Sequence, residues 1–172
     1  MNSSSKIKKL TLAAALAALT TVATLVIQIP SPTKGYINLG DTVVNLAAWL
    51  LGPLYGGAAA GIGSAMADLI SGYTAYAPAT LFIKAAMAVA AFYVYHALSR
   101  KKETLQARIT AAIVSEIIMV VGYAVFAGFL YGSFSTALLS VPENLVQGAA
   151  GASASVVLYG LLHRQAKSRI RI

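Results

Sequence analysis

Long apolar stretches alternate with short polar breaks along the whole chain, and the breaks fall at prolines, glycines or clusters of charge. A membrane-spanning helix needs about 20 predominantly apolar residues. The pattern therefore predicts an all-α, polytopic membrane protein that forms a single integral-membrane domain over residues 1–172. We expect six transmembrane helices, at about residues 10–29, 41–51, 53–71, 78–98, 107–131 and 139–162.

The breaks between the spans contain residues that end or begin helices. The first span carries no charge and stops at Pro30 and Pro32, which cannot continue a helix. It is longer than the ~7–15 apolar residues of a signal peptide, so we expect it to be retained. Gly52 and Pro53 separate the second span from the third, and Pro78 suits the first position of the fourth. Because the second span is short, five spans with a re-entrant segment form an alternative.

Composition excludes a soluble domain. Hydrophobic residues make up 58% of the chain and charged residues 10%, against about 45–50% and about 25% in soluble domains. The mean hydropathy of +0.74 agrees. The sequence lacks cysteine and has two histidines, His96 and His163, both beside basic clusters. These are too few ligands for a metal centre, so we expect no metal, no cofactor, no catalytic residue and no enzymatic activity.

Basic residues carry the net charge of +8 in short blocks between apolar spans. Such blocks orient a membrane protein and face anionic lipid headgroups, so we expect a lipid bilayer and no nucleic acid as partner. With six spans, every lysine and arginine except Lys34 and Lys84 lies on one face of the membrane. The positive-inside rule then predicts a cell-membrane protein with both termini cytoplasmic. The residues on that face are Lys6, Lys8, Lys9, Arg100, Lys101, Lys102, Arg108, Arg164, Lys167, Arg169 and Arg171.

Polar residues from several predicted helices lie at a similar depth, in the outer half of the bundle. A charge at bilayer depth costs a few kcal/mol even on the most lenient scale (about 2.5–3.5), so each needs a reason. Convergence from several helices predicts a polar pocket that opens outward; Glu116 lies deeper. Tyr36 and Tyr73 are further candidates to stack on a ligand. The predicted substrate-binding residues are Asn38, Asp41, Asp68, Tyr76, Lys84, Tyr123, Glu143, Asn144 and Gln147.

Each of these residues also has a structural alternative. Asp41 is suited to cap the N-terminus of the second span, and Glu143 forms a capping-box pattern with Ser140. Asp68 and Lys84 equally fit an ion pair that neutralises both. Asn144 and Gln147 equally fit a structural role in which their amides form hydrogen bonds between helices.

Five short segments between residues 35 and 90 carry a family resemblance. They read Gly-Tyr-Ile-Asn-Leu-Gly-Asp at 35–41, Leu-Gly-Pro-Leu-Tyr-Gly at 51–56, Gly-Ile-Gly-Ser-Ala-Met-Ala-Asp-Leu at 61–69, Tyr-Ala-Pro-Ala-Thr at 76–80 and Ile-Lys at 83–84. Together they resemble the substrate-binding S components of energy-coupling factor (ECF) transporters. The resemblance is to the riboflavin-type branch, which includes proteins assigned to hydroxymethylpyrimidine or pyridoxine.

The resemblance implies a function for the whole domain. S components bind a small-molecule vitamin from outside and associate with a module of one ECF transmembrane scaffold subunit and two ATPase subunits. A hydroxymethylpyrimidine- or pyridoxine-like vitamin is favoured here and riboflavin is next. The family's alanine-spaced first helix, which packs on the scaffold, corresponds to Ala14 and Ala18. Its pocket positions correspond to Asn38, Asp41, Glu143, Asn144 and Gln147.

Two other classes of protein are alternatives. A self-sufficient small secondary transporter would show internal repeats with interrupted helices, and the two halves of the sequence show no clear repeat. An intramembrane enzyme would need a nucleophile and a base, or a metal site, at one depth. The lack of cysteine and the position of both histidines at the predicted inner edge argue against the enzyme.

Overall fold

The computed structural model describes residues 3–30, 36–100 and 103–169, without the side chains of residues 136 and 166–169. Of the residues used above, Pro32, Lys34, Gly35, Lys101, Lys102 and Arg171 lie outside the described residues, as do the side chains of Lys167 and Arg169. The elements are α1 (Ser3–Val26), β1 (Ile29–Pro30), β2 (Tyr36–Ile37), α2 (Gly40–Ile70), α3 (Ala77–Leu98), α4 (Leu105–Tyr131), α5 (Phe134–Leu138) and α6 (Val141–Arg169).

The described residues contain five helices that are long and apolar enough to cross a membrane, namely α1, α2, α3, α4 and α6. The prediction of six transmembrane helices is therefore not supported. Residues 41–51 and 53–71, predicted as separate spans, belong to the single element α2. The part of α2 before Gly52 is ~18 Å long at 1.5 Å per residue, too short for a hydrocarbon core of about 30 Å.

A sharp bend at Gly52 turns α2 back on itself, at the predicted break. Gly52 has φ 81° and ψ −178°, a conformation that glycine adopts without steric cost, and Pro53 suits the first turn of the helix that follows. Beyond the bend, a Cβ atom on Gly56 would lie 2.5 Å from the carbonyl oxygen of Ala47. A straight helix would separate these two residues by ~13.5 Å, so the two arms of α2 pack against each other.

Both ends of α2 lie at the end of the bundle that carries β1 and β2, which we call the β end. The two short strands pair antiparallel. Gly40, the first residue of α2, contacts Thr24 near the end of α1. Asp68, near the end of α2, accepts a hydrogen bond from the Tyr36 hydroxyl in β2 at 2.6 Å. The element α2 therefore enters and leaves the bundle on the same side.

At the opposite end of the bundle, the start of α4 is joined to the second half of α6. Glu103 contacts the imidazole of His163, and its Oε1 lies 3.7 Å from Nε of Arg108. Arg108 also donates a hydrogen bond to the carbonyl oxygen of Val156 at 3.1 Å. Because α1 runs toward the β end and α6 runs away from it, the first residues of α1 and the last residues of α6 both lie at this opposite end.

The exterior of the bundle is apolar and its interior is built from small residues. Exposed fractions reach 76% for Leu54, 73% for Phe82 and 75% for Phe129, an arrangement that fits lipid and not water as the surrounding solvent. Inside, alanines such as Ala60, Ala88 and Ala111 are fully buried where α2, α3 and α4 meet. Small buried residues allow helices to approach closely, which is how helices associate in membranes.

Gly61 provides a test of this close packing between α2 and α3. A Cβ atom on Gly61 would lie 2.5 Å from the Leu81 carbonyl oxygen, whereas one on Gly57 would meet nothing closer than 3.4 Å. We expect Gly61→Ala to lower the free energy of unfolding by about 1–3 kcal/mol through overpacking. Gly57→Ala should be neutral or stabilising by up to about 1 kcal/mol, because alanine favours helix. Thermal unfolding in detergent measures both, and equal stability of the two variants would contradict the close approach.

Candidate functional site

A cavity of about 630 Å³, counted out to its open mouth, lies at the β end among α1, β2, α2, α3, α4 and α6. The cavity wall includes every residue predicted to bind substrate except Asp41, while the roles of these residues toward a ligand stay predictions. The predicted residues in the wall are Asn38, Asp68, Tyr76, Lys84, Tyr123, Glu143, Asn144 and Gln147.

Lys84 is paired with Asp41, so the alternative of an Asp68–Lys84 ion pair is wrong. The side chains of Lys84 and Asp41 are 4% and 0% exposed, and the ammonium bonds to Oδ1 of Asp41. The other oxygen of Asp41 accepts a hydrogen bond from Nε2 of Gln147 at 2.7 Å. The part of α2 before Gly52 thus supplies the carboxylate of the pair, because it lies between Lys84 of α3 and Gln147 of α6. Asp41 is enclosed behind the cavity wall and neutralises the lysine.

The start of α2 is capped by Asn38 and not by Asp41, which the sequence had offered as a capping residue. Leu39 is the N-cap residue of α2 and gives no side-chain cap, and Asp41 lies inside the first turn. Oδ1 of Asn38 accepts a hydrogen bond from the backbone N–H of Gly40 at 2.8 Å, as in an Asx turn. The backbone N–H and Nδ2 of Asn38 each donate to Oε1 of Gln147 at 3.0 Å. Asn38 and Gln147 therefore bind each other and join the start of α2 to α6.

Tyr36 of β2 covers one side of the cavity. Its hydroxyl donates to Oδ1 of Asp68 at 2.6 Å, and its ring packs against that of Tyr73, with 4.8 Å between the centroids. Burial, and then the neighbouring Asp68 carboxylate, raise the pKa of Tyr36 above its ordinary value. The phenol therefore stays protonated and remains a hydrogen-bond donor, and this contact holds the strand against the end of α2.

Aromatic side chains also form the wall between α3 and α4. The hydroxyls of Tyr123 and Thr80 lie 3.0 Å apart, and the ammonium of Lys84 lies 5.4 Å from the centroid of the Tyr123 ring, within the range of a cation–π interaction. The hydroxyls of Tyr76 and Tyr131 lie 3.0 Å apart. The predicted residues Tyr76, Tyr123 and Lys84 are thus held together on one side of the cavity.

The first turn of α6 contributes Glu143 and Asn144 to the wall. The hydroxyl of Ser140 donates to the carbonyl oxygen of Ala137 at 2.7 Å, and the backbone N–H of Asn144 donates to the Ser140 carbonyl at 3.1 Å. These bonds fix the turn that positions both wall residues. The side chain of Asn144 has no hydrogen bond to another residue that the structure describes, so its amide stays available to a ligand.

Glu116 lies deeper than the cavity wall, as its sequence position predicted. It is 6% exposed, and its Oε1 accepts a hydrogen bond from Nδ2 of Asn45 at 3.1 Å. Gly148 and Gly151 of α6 leave room for it, since a Cβ atom on either would lie within 3.4 Å of a Glu116 atom. Glu116 therefore belongs to a polar contact between α2, α4 and α6 and not to the wall.

The sequence reasoning missed four hydroxyl residues in the wall: Thr24, Ser64, Thr80 and Ser140. Helical spacing could have found one of them. Ser64 precedes Asp68 by four residues, and residues four apart lie on the same helix face. Thr24 lies in an otherwise apolar helix, where a single hydroxyl gives little signal, and only its burial against the start of α2 reveals its position.

The face of α1 that carries the predicted docking alanines points away from the bundle. Ala14 and Ala18 are exposed, whereas Ala13 and Leu16 are buried against Val43 and Ala59 of α2. The helix therefore presents one small-residue face inward and another outward. Docking at Ala14 and Ala18 stays a prediction.

The fold and the cavity define a multi-pass membrane protein with a polar cavity at an end of its helix bundle. Residues 4–164 match the model of the family described as "ECF-type riboflavin transporter, S component". The chain belongs to this family and is an ECF-type S component for vitamin uptake. Members of the family are transporter components and not enzymes; they bind vitamins and work with an ECF module in the membrane.

Three other proteins are similar to this chain. An "uncharacterized protein in gap 3'region" from Pyrococcus woesei is 38% identical over 151 residues, which cover 87% of this chain and 95% of that protein. The solved S component of a bacterial ECF transporter superposes with a TM-score of 0.71 and 22% identity, covering 94% of this chain and 99% of the other. The S component for biotin from an ECF-type ABC transporter superposes with a TM-score of 0.68 and 22% identity. The match covers 97% of this chain and 95% of the other. These two structures show the shared fold.

Proposed function

We propose that the chain captures a small heteroaromatic vitamin or vitamin precursor outside the cell, in the cavity at the β end. A hydroxymethylpyrimidine- or pyridoxine-like ligand is the first candidate and riboflavin the second. The residues predicted from the sequence form the site, with one change of role. Asp41 acts by pairing with Lys84 and orienting Gln147, while the others contact the ligand.

The charge balance of the wall is the observation that carries this proposal. Lys84 is neutralised by Asp41, and Asp68 adds a carboxyl group to the wall. An anionic ligand would meet this group without an unpaired cation among the described wall residues, so a neutral or protonated ring is favoured. The wall tyrosines are suited to stack on a flat ring; they are Tyr36, Tyr73, Tyr76 and Tyr123.

Riboflavin is the second candidate because the description of the matching family names it. Its ring system is neutral and flat, so the tyrosines of the wall would stack on it equally well. The carboxyl group of Asp68 in the wall favours the first candidates, whose ring nitrogens accept a proton more readily. Direct comparison of the ligands decides between them.

We further propose that uptake requires a membrane scaffold subunit and two ATPase subunits, with Ala14 and Ala18 as part of the docking face on α1. Their exposure supports this role. Both termini are proposed to be cytoplasmic in the cell membrane. The basic residues Arg100, Arg108 and Arg164 lie toward the bundle end opposite the cavity, where the positive-inside rule expects them.

Mass spectrometry of small molecules retained through purification tests the proposed function. Titration of the emptied protein with pyridoxine, hydroxymethylpyrimidine and riboflavin then ranks the candidates. We expect one of the three to be retained and to bind far more tightly than the others. Failure to retain or bind any of them would overturn the proposal, and vitamin uptake by liposomes that contain this chain alone would favour a self-sufficient transporter.

Asn144→Ala tests the site itself. We expect the vitamin to bind about 2- to 12-fold more weakly, which corresponds to one lost neutral hydrogen bond of about 0.5–1.5 kcal/mol. Thermal unfolding of the ligand-free protein should be unchanged, because the amide has no partner among the described residues. Ser153→Ala, a polar-to-alanine change at an exposed position of α6, is the control. Wild-type affinity in the Asn144 variant would move the ligand away from α6.

A further inference from the structure

Three buried oxygen atoms on one side of the cavity have no hydrogen-bond partner among the described residues. They are Oγ1 of Thr24, Oγ of Ser64 and Oδ2 of Asp68. Their residues are 3%, 3% and 6% exposed, and all three belong to the cavity wall. An unpartnered buried polar group costs about 1–3 kcal/mol. Three such groups beside one cavity therefore indicate that a partner is supplied from the cavity.

Contacts between α1 and α2 bring these residues to one side. The hydroxyl of Thr21 donates to the Gly63 carbonyl oxygen at 2.7 Å, which fixes α1 against the segment of α2 that contains Ser64. Thr24 lies about one turn farther along α1. Ser64 and Asp68 are four residues apart and share a face of α2. The three oxygens therefore lie on the side of the cavity formed by α1 and the part of α2 after Gly52.

The neighbouring groups leave these atoms available. Asp68 uses Oδ1 for the Tyr36 hydroxyl. Thr80 of α3 also lies beside this carboxylate, and its hydroxyl lies 3.0 Å from that of Tyr123. Oδ2 of Asp68 has no hydrogen-bond partner among the described residues. All three oxygens are covered from water. A change of χ1 rotamer would bring the serine or threonine hydroxyl to the cavity surface.

We propose that Thr24, Ser64 and Asp68 form a subsite that binds a hydroxyl group of the ligand. This inference rests on the proposed function and adds three specificity residues to it. The chemistry favours a hydroxyl over an amine. A carboxylate oxygen accepts hydrogen bonds only, whereas serine and threonine hydroxyls both donate and accept. A ligand hydroxyl donates to Asp68 and accepts from Thr24 or Ser64 at the same time, which a protonated amine cannot do.

Pairs of ligands that differ by one hydroxyl-bearing group test the subsite. The probes are pyridoxine, hydroxymethylpyrimidine and riboflavin, each compared with an analogue that lacks the group; for riboflavin this analogue is lumiflavin. Affinities are measured by titration for the wild type, Thr24→Val and Ser64→Ala. Each substitution removes a hydroxyl and little else. A ligand change combined with a protein change forms a double-mutant cycle, which isolates the contact between them.

We expect each variant to bind the hydroxylated vitamin about 2- to 12-fold more weakly and the analogue as tightly as the wild type does. The ligand-free variants should unfold at the same temperature as the wild type or higher, because each loses an unpartnered buried group. Thr42→Val and Ser115→Ala are matched controls. Their hydroxyls are also buried without a partner among the described residues, but neither residue belongs to the cavity wall, so affinity should not change.

The outcomes separate this proposal from the proposed function. If the wild type binds none of the three vitamins, the proposed function fails and the subsite fails with it. If the wild type binds one vitamin and both variants bind it equally well, the site stands and the subsite is wrong. Equal weakening of the vitamin and its analogue also contradicts the subsite, because the lost contact is then not with the hydroxyl.

Discussion

Asp41→Asn should destabilise the protein more than any other single substitution considered for the site. The change keeps the size of the side chain but leaves the Lys84 ammonium, 4% exposed, without its carboxylate. Removing one partner of a buried ion pair costs about 3–5 kcal/mol. The free energy of unfolding, measured in detergent by denaturant titration, should fall by that amount, and ligand binding should be lost as Gln147 loses its charged partner.

Two further variants make the Asp41 result specific. Asp68→Asn should cost about 0.5–3 kcal/mol, since Asp68 accepts a hydrogen bond from Tyr36 but no bond from Lys84. The double variant Asp41→Asn/Lys84→Met should recover much of the lost stability, because it removes the stranded charge. Additive losses in the double variant, or a larger effect at Asp68, would show that the Lys84 ammonium does not depend on Asp41.

The second large effect is expected on the outer face of α1. Ala14→Trp or Ala18→Trp should reduce uptake to background when the complete ECF module is present, because a bulky side chain prevents close approach of another helix. Both positions are exposed and neither belongs to the cavity wall. Vitamin binding by the isolated protein should therefore keep its wild-type affinity. Co-purification with the scaffold subunit and titration of the isolated protein measure the two effects separately.

Ala86→Trp provides the matched control for the α1 variants. Ala86 is an exposed alanine on α3, so the substitution adds the same bulk to a different outward face. We expect normal assembly and uptake in this variant. Intact assembly of the α1 variants would exclude α1 as the docking face, and loss of assembly in the Ala86 variant would show that bulk on any outward face interferes.

Hydrophobic pattern alone determined much of this protein. Apolar length identified helices that cross a membrane, and the break at Gly52 and Pro53 was readable because a glycine followed by a proline interrupts a helix. The depth of polar residues along predicted helices identified eight of the wall residues together, namely Asn38, Asp68, Tyr76, Lys84, Tyr123, Glu143, Asn144 and Gln147. Periodicity and depth are properties of single helices, so a sequence carries them directly.

The tertiary structure decided which side chains pair with each other inside the bundle. From the sequence, Asp68 was the acidic candidate for an ion pair with Lys84. The bend at Gly52 places the start of α2 between α3 and α6, so Asp41 became the partner of Lys84 instead. The same bend joined two predicted spans into one element. Thr24 and Ser64 entered the wall through packing of α1 on α2. Depth along a helix fixes which residues can meet, but the rotation and bending of helices against one another fix which of them do.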